Sequence, residues 1–293
     1  MINFFTVDVE DYWSLFYRDY LGQEIPVSPR LLLSTRAMLD LLEEIGVRAT
    51  CFCLGRIARA EPDLIKEIHG RGFEVASHGM DHILYFQADP EQVRRDLADS
   101  RALLEDLIGA AVRGFRAPHF NIRLDRPRLL ELIVETGYQY DSSIFPFRGK
   151  RYGSAESPRG PYRIPTAAGP LLEFPLATVV IRGRRLPAGG GGYLRYFPYG
   201  YNRWAIRSLN REGLPATVYL HPYECDSEPL AYSAQGLPWP ARGRAWVTNF
   251  MQYYNRSRTL SKIRALARDF RFSPVQSAFQ AIPPPAFPTL TRG

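Results

Sequence analysis

The sequence predicts an α/β protein built on a mainly parallel sheet, and three observations carry that expectation. Amphipathic helical stretches that stop at glycine alternate with short apolar runs along most of the chain. The units share this pattern without sharing sequence, so they are successive crossovers rather than repeats. Each apolar run also ends in residues able to do chemistry, as expected where strands deliver an active site at their carboxyl ends.

The chain opens with the strand MINFFTVDVE and then enters its first helical stretch at residues 28–46. There Ser28 is placed as a cap, Pro29 at the first helical position and Gly46 at the stop. The run RATCFCLG follows. The next unit is PDLIKEIHGRG with FEVASHG; then DPEQVRRDLADSRALLEDLIG, capped by Asp89, leads to AVRGFRAPHF. RPRLLELIVETG precedes YQYDSSIFP, and YNRWAIRSLNREG precedes LPATVYLHP. The rhythm breaks between about 147 and 200, a segment rich in proline, glycine and aromatic residues. Antiparallel strands and a long loop are expected there as an insertion in the same domain. One domain is expected over 1–280, with helices beyond 240. The segment 281–293, AIPPPAFPTLTRG from its start, is expected to trail as a disordered tail.

With 45% hydrophobic, 13% aromatic and 23% charged residues, the 293-residue chain has an ordinary globular composition. No apolar run approaches the roughly 18 residues of a membrane span. The opening residues lack a secretion signal, so the cytoplasmic side is expected, with peripheral membrane association and lipid-linked intermediates in view. Cys51, Cys53 and Cys225 are too few for a disulfide framework and are expected as buried reduced thiols, the first two on opposite faces of their strand. The net charge of +7 is spread over helices and loops without a compact basic run or recognition motif, which argues against a nucleic-acid binder.

His78 and His82, in SHGMDH, are four apart and can meet one metal from a helical turn or tight loop. The pair is not the zinc-protease motif, because Gly79 stands where that motif has glutamate. A carboxylate from another strand would complete a set suited to zinc, cobalt, nickel or iron, and TVDVED offers Asp8, Glu10 and Asp11. Side-chain alternation along a continuous strand puts Asp8 and Glu10 on one face and makes Glu10 the ligand; a bulge would hand that duty to Asp11. His221, at the end of TVYLHP, is placed as a proton donor. Arg116 is placed as a carboxylate partner, and Asp141 as a site residue or the cap of the following turn. Tyr193, Tyr196 and Phe197, beside the flexible glycines 189–192, are expected either to stack on sugar rings or to pack in the insertion's core.

TVDVEDYW, SHGMDH, RGFRAP, YDSS and YLHPYE, in this order, resemble the motifs of the polysaccharide deacetylases of carbohydrate esterase family 4, nodulation-protein type. VDVEDYW, LLEDLIGAAVRGFRAPHF, YDSSIFP and LHPYE resemble more closely the subgroup associated with exosortase and exopolysaccharide gene clusters. The likeness covers roughly residues 1 to 275. It implies a distorted (β/α) barrel that removes N-acetyl groups from a sugar polymer with the help of a divalent metal, most simply zinc. Carried over by motif, Asp8 resembles the catalytic base and His78 and His82 the metal ligands. Arg116 resembles the arginine that orients the base, and His221 the histidine that protonates the leaving amine. Asp141 resembles the aspartate that tunes that histidine. Pro118, in RGFRAP, is also expected as a substrate contact. The chain departs from the family in having Val9 where a second aspartate is usual, and in carrying His119 where a small residue is commoner. Two further readings stay open: an amide or cyclic-amide hydrolase acting on a small molecule, and a catalytically silent carbohydrate-binding barrel.

Overall fold

The computed structural model describes residues 1–147, 149, 153–281 and 287–290. In chain order the elements are β1 Ile2–Val9, α1 Tyr12–Phe16, α2 Pro29–Glu44, β2 Thr50–Cys53, α3 Gly55–Ala60, α4 Pro62–Gly70, β3 Glu74–Ser77, α5 Pro90–Ile108 and β4 Gly114–Phe115. They continue with α6 Pro127–Glu135, β5 Tyr140–Asp141, β6 Tyr162–Thr166, β7 Gly169–Glu173, β8 Thr178–Ile181, β9 Arg184–Pro187, α7 Gly191–Tyr196 and α8 Tyr199–Arg211. β10 Thr217–Leu220, α9 Trp239–Tyr253, α10 Thr259–Asp269, β11 Arg271–Ser273 and α11 Val275–Ala281 complete the chain.

The main sheet runs β10-β1-β2-β3-β4-β5-β7-β6, with β11 also paired to β1. Every pairing from β10 to β7 is parallel; β6 is antiparallel to β7 at the edge. Beyond β7, Ala177 N–H donates to Thr217 O of β10 at 3.2 Å and links the two ends of the parallel set. The distorted α/β barrel expected from the sequence is thus the one observed.

Local signals act where they were read. The Ser28 hydroxyl accepts from Arg30 N at the start of α2, and the Asp89 carboxylate accepts from Glu91 N and Gln92 N at the start of α5. Along β1, Phe5, Val7 and Val9 face the outer helices within the main core, while Phe4 joins Phe52, Ala76, Tyr140, Leu172 and Phe174 inside the barrel. Thr6 and Asp8 therefore also point inward, and the strand carries Asp8 to the open end.

Three expectations need correction. Cys51 and Cys53 are free and buried, but both lie in the main core on one face of β2, because residues two apart on a strand share a face. The segment after 147, of which residues 148 and 150–152 lie outside the described residues, is not wholly an insertion. β7 pairs in parallel with β5 and is a member of the barrel, leaving β6 and the β8–β9 hairpin as the antiparallel additions. The tail does not trail throughout: Phe287 is buried against Phe174, and Arg163 of β6 exchanges backbone hydrogen bonds of 2.8 Å with Pro288 and Leu290. Residues 282–286 and 291–293 lie outside the described residues.

The glycines 189–192 are likewise packed rather than flexible. A Cβ on Gly190 would sit 2.2 Å from the ring of Tyr219, so only glycine lets this backbone lie against that ring. Gly190→Ala is expected to lower unfolding free energy by about 1–3 kcal/mol through overpacking. Gly200→Ala in α8, with nothing within 4 Å, is expected to be neutral or stabilising. Urea denaturation of the two variants measures the contrast; equal stability would mean that Tyr219 moves aside freely.

Candidate active site

The open end of the barrel holds a cavity of about 500 Å³. Asp8, Glu10, His78, His82 and His221 line it together, with Tyr12, Phe120, Tyr193, Tyr196, Tyr219 and Tyr223 among its walls. These polar groups arrive from three strand ends: Asp8 and Glu10 from β1, His78 and His82 from β3, and His221 from β10. After β1 the chain makes a tight turn in which Glu10 N–H donates to Asp8 O at 3.1 Å, and the Glu10 carboxylate comes to rest beside the two histidines.

Residues 78–82 follow β3 as a turn, not a helix. Gly79 has φ +78°, and a Cβ there would meet the Tyr85 hydroxyl at 2.3 Å and Asp96 Oδ1 at 2.8 Å. That crowding accounts for glycine at this position. Asp96, buried on α5, fixes the turn by accepting from Met80 N at 3.0 Å and Asp81 N at 3.1 Å. His82 itself adopts φ +56°, which aims its ring at Glu10.

Ligand atoms of Glu10, His78 and His82 all lie within 4.8 Å of one another. Glu10 Oε2 is 2.9 Å from His82 Nε2 and 3.6 Å from His78 Nε2. His78 Nδ1 lies 2.7 Å from Arg116 O, the contact of an Nδ1–H donor that leaves the Nε2 lone pair toward the cluster. Two imidazole nitrogens and one carboxylate, all buried, form a donor set that fits a divalent cation of borderline softness. Burial pushes the Glu10 carboxyl up, but the surrounding His221 and His82, with hydrogen bonds from His78 and His82, outweigh it and hold it well below the ordinary range.

Arg116 is fully buried and pairs with Asp8 Oδ1 at 2.6 Å. The same guanidinium donates to Thr6 Oγ1, Ser142 O and Ser142 Oγ, and lies 4.1 Å over the Phe52 ring. His221 Nε2 is 3.4 Å from Glu10 Oε1, and its ring stacks on Tyr223. Its Nδ1 is 2.8 Å from Glu224 Oε1, which also accepts the His221 backbone N–H. Burial lowers the His221 pKa, but Glu10 and Glu224 more than offset it, so the imidazole is more basic than an ordinary histidine.

Several expected residues stand elsewhere. Asp11 is outside the cluster: its carboxylate accepts from Trp13 N and Ser14 N as the cap of α1 and from Ser28 N at 2.9 Å. Asp141 does not reach His221. It accepts from Ser143 Oγ and lies beside Glu173, its register partner on β7. The residue that holds His221 is Glu224, three positions on in LHPYE, where an i,i+3 carboxylate was the available signal. Arg195, buried on α7, backs Glu224 at 3.1 Å and had no signal in its local sequence. Pro118 is buried behind the wall; its neighbours His119 and Phe120, at φ +55° and +52°, face the cavity instead. Tyr193 and Tyr196 line the cavity, whereas Phe197 stacks on Tyr193 at the surface outside it.

Residues 32–140 match the polysaccharide deacetylase family, and residues 142–280 match a domain of unknown function. A peptidoglycan deacetylase-like protein of Gibberella zeae is 35% identical over 109 residues, 36% of this chain and 31% of that protein. A chitooligosaccharide deacetylase of Sinorhizobium fredii is 36% identical over 86 residues, 29% of this chain and 40% of that protein. A peptidoglycan-N-acetylglucosamine deacetylase of Bacillus cereus is 28% identical over 105 residues, 36% of this chain and 47% of that protein. The chain thus spans less than half the length of these curated relatives. Among solved structures, a Mycobacterium smegmatis protein named as a polysaccharide deacetylase superposes with TM-score 0.60 at 21% identity, over 99% of this chain and 93% of that one. An allantoinase superposes with TM-score 0.54 at 18% identity, over 89% of each chain. Both share the fold.

Behind Arg116, Asp141 Oδ2 and Glu173 Oε2 are buried without a partner among the described residues and stand within reach of each other, so one shared proton satisfies both. Burial raises the Asp141 pKa to about 6 and, with the Asp141 charge, raises that of Glu173 well above the usual range. The sign follows: Asp141 binds its proton more tightly in the folded chain, so its contribution to stability is present near pH 4 and lost as pH rises through about 6. Asp141→Asn is expected to flatten the dependence of unfolding free energy on pH between 4 and 7. Identical slopes in urea titrations of variant and parent would show that the two carboxyls do not share a proton.

Proposed function

We propose, from the premise that the chain carries a polysaccharide deacetylase domain, that it hydrolyses the acetamido group of an N-acetylated amino sugar and releases acetate. The observation that supports this best is the grouping of Glu10, His78 and His82 in one cavity with an Arg116-held Asp8 and a Glu224-held His221. Relatives named for peptidoglycan and chitooligosaccharide point to an N-acetylglucosamine-type residue as the target. We place that residue in an exopolysaccharide or its precursor.

The Nε2 atoms of His78 and His82 and the Glu10 carboxylate would hold a divalent cation, zinc by preference with cobalt or nickel accepted by the same donors. Such an ion acidifies water and polarises an amide carbonyl. Asp8 takes the proton of the attacking water as general base, with Arg116 fixed on Oδ1. His221, more basic than usual and fixed through Nδ1, delivers a proton from Nε2 to the departing sugar amine. Each proton transfer is of the kind that contributes roughly 100-fold to 10,000-fold. Tyr193 and Tyr196 offer ring faces to the sugar at the cavity wall.

Acetate release from N-acetylated oligosaccharides, with and without chelator, tests the reaction; undiminished turnover in a verified metal-free preparation would refute the metal's part. Asp8→Asn keeps an acceptor for Arg116 and is expected to retain zinc while losing at least about 100-fold in rate. Glu10→Gln is expected to lose zinc affinity. Asp11→Asn should keep zinc, at a stability cost of up to about 1 kcal/mol. Zinc titrations that emptied the site in Asp11→Asn alone would reverse the assignment of Glu10.

Glu224→Gln should move the alkaline limb of the rate profile to lower pH, because His221 loses the charge that keeps it protonated as pH rises. An unmoved limb in that variant would remove His221 as the acid.

A further inference from the structure

α9 is an exposed helix in which Ala245 alone is buried. Trp239, Trp246, Phe250 and Tyr254 fall seven, four and four residues apart, one face of the helix, and are 84%, 61%, 52% and 46% exposed. Trp246 stacks on Phe250, which leans on Tyr254. The next row, Val247 and Met251, is also exposed and forms part of the cavity wall, so this apolar face runs up to the mouth of the site.

The charge along this stretch of chain is one-sided, with Glu228 just ahead of it. Residues 229–268 contain no aspartate or glutamate, yet hold Arg242, Arg244, Arg256, Arg258, Lys262, Arg264 and Arg268. Arg256 and Lys262 are buried, while Arg264 and Arg268 have acidic neighbours in Glu44 and Asp269. Arg242, Arg244 and Arg258 are exposed and form no ion pair among the described residues. A sugar platform would need polar partners for hydroxyls beside the rings. Apart from the tyrosine hydroxyls, Asn249 supplies the groove's polar side chain, and it is occupied by the Tyr12 hydroxyl and Leu230 O. Exposed tryptophan and phenylalanine on a helix whose charged residues are all arginines match instead the interface of an anionic bilayer.

We propose that α9 docks on an anionic phospholipid surface, its aromatic row entering the headgroup layer and Arg242 and Arg244 meeting lipid phosphates. The cavity mouth then lies at that surface. This placement rests on the proposed deacetylase reading for its purpose, whereas the binding does not.

The test is flotation of the full chain with vesicles of phosphatidylglycerol and phosphatidylcholine against phosphatidylcholine alone, at low and high salt. Binding is expected to the anionic vesicles only, and to fall with salt. Roughly fivefold per arginine, R242E/R244E should weaken it at least about 20-fold, and W246S/F250S at least about tenfold. Neither pair lines the cavity, so acetate release from a soluble chitooligosaccharide and the melting temperature should match the parent. Equal binding to both vesicle types, or variants that float like the parent, would overturn the proposal. So would an absence of flotation with retention on an insoluble N-acetylated polymer that these variants lose, which would make the face a sugar platform. A parent that floats but releases no acetate would refute the deacetylase reading and leave the lipid contact standing.

Discussion

The Arg116–Asp8 ion pair is the constraint around which the open end of the barrel is arranged. A guanidinium with no solvent exposure costs several kcal/mol to bury unless its charge is matched and its donors are placed. Asp8 on β1 supplies the charge at 2.6 Å, and Thr6 and Ser142 take the other hydrogen bonds. Arg116 is also tied through its own carbonyl to the His78 ring, so one residue sets the position of a carboxylate on one strand and an imidazole on another. Arg116 thereby joins the ends of β1 and β3 and the segment after β5 through one side chain and its own carbonyl.

A second relay runs from the later half of the chain. Arg195 on α7 backs Glu224, Glu224 holds Nδ1 of His221, and His221 comes to within 3.4 Å of Glu10 from the first strand. The two segments with different family matches thus meet in one sheet and one cavity, since β1 pairs with both β2 and β10. The surface of the second segment supplies Tyr193 and Tyr196, as well as the α9 face at the rim.

Much of this was legible in the sequence because it depends on short-range rules. Helix caps at Ser28 and Asp89, strand alternation through Asp8 and the spacing of His78 and His82 are local statements, and the structure keeps them. What was not legible depends on partners far apart in sequence. Asp141 was paired with His221 by motif order, yet its place opposite Glu173 is decided by a β5–β7 pairing that no local pattern announces. Glu224 lies in the quoted LHPYE, and its i,i+3 spacing from His221 is a local signal, but whether that carboxylate turns back on the ring or toward solvent is decided by the burial around it. Arg195 was hidden entirely, since burial of an arginine is a property of what surrounds it. The proline-rich end was misjudged in part because composition reports the cost of ordering a segment and not the groove that compensates for it.

That docked segment has a bearing on how the chain behaves in concentrated solution. β6 is the antiparallel margin of the main sheet, and an uncovered margin offers its free N–H and C=O groups to any neighbouring strand. Here Arg163 has both backbone groups engaged by Pro288 and Leu290, while Phe287 sits in an apolar pocket beside Phe174. Residues 287–290 therefore act as a guard strip along that margin. Cleavage ahead of Phe287 would leave the cavity residues in place and yet bare the β6 edge to pairing with a second molecule.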